Sequence, residues 1–179
     1  MGGISAASLY AAFGSKEALY KEAVALYMAT VGRRLRDTLA DTDAAPLQAI
    51  ENALRCAAEF QRDDEHPRGC MVVLSATNCS PDNAHLRRAM ALERQNTRLA
   101  FRDCLRRGMD AGQLPSTTDA ESLADFLSAV LNGLSIQARD ELSADALNGI
   151  VDTAMQGVAA VAGGRPVFIL EQISPDTGK

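Results

Sequence analysis

Apolar positions recur every three or four residues along most of this chain, the signature of helices burying one face. Ser5 reads as the N-cap of a short helix, Ala6–Phe13, and Gly14 as its left-handed stop. Ser15 then starts a second helix to about Leu39, with Leu19, Ala23, Leu26, Tyr27 and Val31 as its buried stripe. Pro46 opens a third helix to about Arg62, with Leu47, Ile50, Leu54, Ala57 and Ala58 inside. The polar run 63–68 is a loop. The apolar stretch 69–78 reads as a short buried helix, since no second strand candidate exists to pair with it. Ser80 and Pro81 launch a long helix through Leu86, Met90, Leu99, Phe101, Leu105 and Met109, closed near Gly112. Thr118-Asp119-Ala120-Glu121 reads as a capping box for a helix to about Asp140, and Ser143 caps a last helix to about Ala162. The expected fold is all-α.

Composition explains what fills the core. Hydrophobic residues make up 47% of the 179 but aromatics only 4%, so the core is built from Leu, Ala, Val and Met, of which Ala and Leu above all lose little freedom in a helix. No apolar run approaches the roughly 18 residues of a membrane span. The N-terminus lacks the basic-then-apolar layout of a secretory signal, so a cytoplasmic protein with no membrane partner is expected. Charge is uneven. Lys16, Lys21, Arg33, Arg34 and Arg36 face only Glu17 and Glu22 in residues 1–36, a net +3 that leaves −8 for the rest of a chain at −5. A basic front on an acidic body suits a nucleic-acid-facing segment joined to a globular module.

Chemistry for catalysis is not evident. No acid/base pair, nucleophile arrangement or phosphate loop stands out, so no enzyme and no cofactor is expected. His66, Cys70, Cys79 and His85 fall within twenty residues, yet without the two-plus-two spacing of a zinc site, so no metal is expected and Cys56, Cys70, Cys79 and Cys104 read as packing thiols.

The stretch from Gly3 to Tyr20 carries the functional signal. Gly3-Ile4-Ser5 reads as a turn, Leu9-Tyr10 and Phe13 lie in a short helix, and Lys16-Glu17-Ala18-Leu19 begins the next. This resembles the second half of the helix-turn-helix of the tetracycline-repressor family, whose members are dimeric, ligand-switched regulators of transcription. Gly112-Gln113-Leu114 before the final helix pair is similar to the family's regulatory domain. The resemblance implies that Tyr10 and Lys16 hold phosphates, while Ser5, Ala6, Ala7 and Ser8 present a small surface to base edges in the major groove. Two further helices precede this motif in the family, whereas here Met1 abuts Gly2-Gly3, so the DNA-binding domain is expected to lack its first two helices.

The expected organisation is a partial DNA-binding domain with its connecting helix over 1–39, a regulatory domain over 40–163 and a flexible tail over 164–179. The expected function is a ligand-responsive repressor that binds an operator as a homodimer, given those two helices, and is released by a small apolar or weakly polar effector. The alternative is a ligand-binding dimerisation module without DNA affinity. Phe60, Met71, Leu74, Asn78, Phe101, Leu105, Phe126 and Val130 are the pocket candidates, combining large apolar groups with one amide. Leu127, Leu131 and Leu134, with Leu147, Ile150, Val151, Ala154 and Val158, are the dimer-interface candidates on the last two helices.

Overall fold

The computed structural model describes residues 5–75 and 81–162, the side chains of Ala6, Ala7 and Tyr10 excepted. These residues form α1 (Ala6–Phe13), α2 (Lys16–Tyr27), a π turn (Met28–Gly32) and α3 (Arg33–Ala40). Then follow α4 (Pro46–Arg62), α5 (Met71–Leu74), α6 (Ala84–Asp110), α7 (Ala120–Arg139) and α8 (Ala144–Ala162). The all-α expectation holds.

The caps show why the helices begin and end there. Ser5 Oγ accepts the Ser8 amide at 3.1 Å, Ser15 Oγ that of Ala18 at 3.0 Å and Ser143 Oγ that of Ala146 at 3.2 Å. Gly14 and Gly112 stop their helices with φ of +75° and +69°. One expected cap is corrected. The N-cap of α7 is Asp119, whose carboxylate accepts the Ser122 amide at 3.0 Å and its hydroxyl at 2.7 Å. Thr118 is buried beneath the turn, and Glu121 reaches out to Arg98 and Arg106 instead of back to the cap.

One core joins α3, α4, α6, α7 and α8. Ile50 and Leu54 from α4, Phe101 and Leu105 from α6, Leu127 and Leu134 from α7, and Leu147, Val151 and Val158 from α8 are fully buried in it. Each such side chain contributes about 1.5–3 kcal/mol relative to exposure. Gly108 lets α6 press against the start of α4: a Cβ there would lie 2.8 Å from Pro46 Cγ. A smaller cluster of Val24, Val72 and Met90, lined by Tyr20, Tyr27 and Met28, ties α2 to α5 and α6. Leu26, expected in the buried stripe, is 67% exposed, because Val24, Tyr27 and Met28 take the inward positions.

The helix from Lys16 to Ala40 is not α-helical throughout. Across the π turn its carbonyls find other donors: Thr30 Oγ1 donates to Leu26 O at 2.8 Å and Arg36 Nη2 to Met28 O at 3.2 Å. Such turns insert one residue into a helix.

Candidate functional site

A cavity of about 320 Å³ opens where five elements leave the core unfilled. Helix α4 presents Ala53, Cys56, Ala57, Phe60 and Gln61 to it, residues three and four apart and so on one face. The second wall is the π turn with its flanks, from Tyr27 and Met28 to Arg34 and Leu35. Cys70, Val72 and Val73 come from α5 and the residue before it, Arg94 and Thr97 from α6, and Ser128, Leu131 and Asn132 from α7. Tyr27 meets Phe60 edge-on with ring centroids 6.4 Å apart, and Phe60 stacks on His66 at 4.1 Å. Burial, reinforced by the neighbouring Cys70 thiol, holds the Tyr27 phenol protonated far above its ordinary range.

The polar groups in this wall are few and unevenly satisfied. Gln61 is only 4% exposed, and its Oε1 has no hydrogen-bond partner among the described residues; the same holds for the buried Ser128 Oγ. Arg94 Nη1 donates to Val72 O at 2.8 Å. A wider recess of about 730 Å³ shares Tyr27, Phe60 and Cys70 and continues past His66, Met71, Leu74 and Arg139.

Of the pocket candidates, Phe60 lines the cavity and Met71 and Leu74 line the adjoining recess. Phe101 and Leu105 are in the solid core, Val130 packs against it, and Phe126 is 44% exposed; none of these four lines either space. Asn78 lies outside the described residues, as do Cys79 and Ser80. Sequence reasoning placed Tyr27 and Val31 in a buried stripe without making them pocket candidates, and overlooked Met28, Thr30, Arg34 and Leu35. The signal was Tyr27 and Arg34, polar-tipped side chains within and beside an apolar helix stripe.

At the other end of α2, Ser5, Ser8 and Lys16 are exposed. Ser5 Oγ lies 3.0 Å from Ser8 Oγ, and Lys16 is the first residue of α2, at the positive end of its dipole. Tyr10, Ala6 and Ala7 belong to α1, with side chains outside the described set. Among the described residues no His, Cys, Asp and Glu cluster is arranged to hold a metal ion, and no helix is long and apolar enough to cross a membrane.

The interface candidates sit within one chain. Leu127, Leu134, Leu147, Val151 and Val158 are fully buried, Leu131 and Ala154 nearly so, and Ile150 is partly buried against the same core. Their stripe joins α7 and α8 to α4. What α7 leaves outside is a second stripe, Phe126, Ala129, Gly133 and Ile136; α8 leaves Gly149, Thr153, Gly157 and Val161. A Cβ on Gly133, Gly149 or Gly157 would meet nothing within 4 Å.

Known proteins share this fold. The family model described as "BetI-type transcriptional repressor, C-terminal" matches residues 53–160, more than half of the chain. The chain is 24% identical over 154 residues to the HTH-type transcriptional repressor ComR of Escherichia coli (strain K12), covering 86% of this chain and 73% of that one. It is 29% identical over 156 residues to the HTH-type transcriptional regulator YezE of Bacillus subtilis (strain 168), covering 86% and 79%. Among solved structures, a cysteine mutant of the TetR family regulator CifR, complexed with 26bp double-strand operator DNA, superposes with a TM-score of 0.80 and 41% identity over 86% of this chain and 80% of that. A TetR regulator from Rhodococcus sp. RHA1 gives 0.64 and 28% over 87% and 82%. The chain belongs to the TetR family of transcriptional regulators.

Proposed function

We propose that this regulator is a repressor that binds operator DNA as a dimer and releases it when a small molecule enters the 320 Å³ cavity. The observation that carries this reading is the double duty of one helix. Residues Tyr27 to Leu35 wall the cavity, and the same helix begins at Lys16, directly after α1. A ligand that presses on that wall tilts the helix and moves α1, so occupancy of the cavity trades against occupancy of DNA. The likeness to CifR, solved on operator DNA, supports the nucleic-acid partner. On DNA, Ser5, Ala6, Ala7 and Ser8 face the bases while Tyr10 and Lys16 hold phosphates.

The second copy docks on the outer stripes of α7 and α8, where Phe126, Ile136 and Val161 are exposed and three glycines permit close approach.

Selection of duplexes from a random library, followed by fluorescence anisotropy, tests the reading. A selected sequence bound as a dimer is expected, with Lys16→Ala and Tyr10→Phe weakening all duplexes about equally. Failure to select any duplex favours a ligand-binding dimerisation module instead.

A further inference from the structure

The cavity carries more information than its size. Arg34 and Arg94 line it and, among the described residues, no aspartate or glutamate does. Neither guanidinium pairs with a carboxylate among the described residues. The contrast with the next turn of α6 is direct: Arg98, four residues on, is held between Glu121 and Asp125. Arg94 is half-buried and spends one N–H on Val72 O. A guanidinium has five, in a planar fork that matches a carboxylate.

Gln61 supplies the second constraint. Its Oε1 is a buried acceptor with no partner among the described residues, and leaving such a group unpaired is costly. A ligand that donates a hydrogen bond there relieves that cost. The remaining wall is mostly apolar, from Ala53 and Ala57 to Val72 and Leu131, with Thr30, Thr97, Ser128 and Asn132 as neutral polar members, and the volume lies at the small end for ligand sites. A cation would meet two like charges, and a pure hydrocarbon would leave both Gln61 and Arg94 unanswered.

We propose that the effector is a small, mostly apolar carboxylate that also carries a hydroxyl or N–H, its carboxylate on Arg94 and its donor on Gln61. This rests on the reading of the cavity as the effector site.

Calorimetry on the full chain with three matched probes separates the claims: 3-phenyllactate, 3-phenyllactamide, which lacks the charge, and 3-phenylpropanoate, which lacks the hydroxyl. The acid is expected to bind at least about tenfold tighter than the amide, and about fivefold tighter than the propanoate, as charged and neutral hydrogen bonds imply. Arg94→Gln should erase the preference for acid over amide, Arg94→Lys should keep most of it, and Gln61→Leu should erase only the preference for the hydroxyl. Equal binding of acid and amide, or an acid-to-amide ratio unmoved in Arg94→Gln, overturns the carboxylate assignment and leaves the effector site standing. If Arg94→Gln does not fold, the native ratio and Arg94→Lys decide. No binding by any of the three overturns the effector site as well.

Discussion

Glu17 Oε1 lies 2.9 Å from His85 Nε2, so one carboxylate at the start of α2 reaches the start of α6, 68 residues along the chain. Lys21 joins it at 2.6 Å from the next turn of α2. The hydrogen bond from Lys21, then that from His85, holds the Glu17 carboxyl below its ordinary value of 4.5. A depressed carboxylate pKa contributes stability that is complete above the ordinary value and lost as pH falls through the folded one. Chemical denaturation of Glu17→Gln between pH 7 and pH 3 should therefore show a small deficit at neutrality that vanishes at the acid end. A deficit that grows on acidification contradicts the tether.

Ser135 carries a buried contact between α7 and the loop before α5. Its Oγ accepts the Cys70 amide at 2.7 Å, and the residue is fully buried. Ser135→Ala leaves that amide without its acceptor, at a cost of about 1–3 kcal/mol in urea denaturation.

Gly69 answers to a different constraint at the same junction. Its φ is +89°, and a Cβ there would lie 3.0 Å from the Ser135 carbonyl oxygen and press into Leu74. Gly69→Ala should destabilise by about 1–3 kcal/mol from backbone strain alone, more once the contact is counted. A thermal melt unchanged from the native chain would contradict this.

The two stripes of α7 should respond to substitution in opposite ways. Ile136 is 48% exposed and Leu127 fully buried. Ile136→Lys should give a well-folded monomer in analytical ultracentrifugation, whereas Leu127→Ala should cost about 2–5 kcal/mol of folding stability in any oligomeric state. Dimers of Ile136→Lys at micromolar concentration would exclude this face as the interface.

Helix boundaries were legible because they are written in local chemistry. Pro46, Gly14, Gly112 and Ser143 act within one turn of their own position, whatever the rest of the chain does. The cavity was not legible in that way. Phe101 and Phe60 are both large apolar residues on helix stripes, yet one is sealed in the core and the other faces open space. Periodicity reports which side of a helix is inward; whether the opposite helix closes the gap depends on crossing geometry. The interface candidates come from the same periodicity. Apolar density selects the stripe of Leu127 and Val151, which within one chain belongs to the core shared with α4, and the stripe left over is sparser and rich in small residues.

The π turn holds one residue more than an α-helix of the same reach would. Each α-helical residue advances the backbone by about 100° and 1.5 Å. Removing one residue from α2 or α3 would therefore turn α1 about a quarter revolution against the body, whereas removing one between Met28 and Gly32 would restore a regular ladder with the flanks in nearly their present register, because the wider turn is what takes up the extra residue. One residue added to the loop at Asp41–Ala45 carries no such penalty, because that segment lies between helix ends. The orientation of α1 against the body is thus set by the residue count along α2 and α3, and insertions and deletions there, more than substitutions, are the changes it cannot absorb.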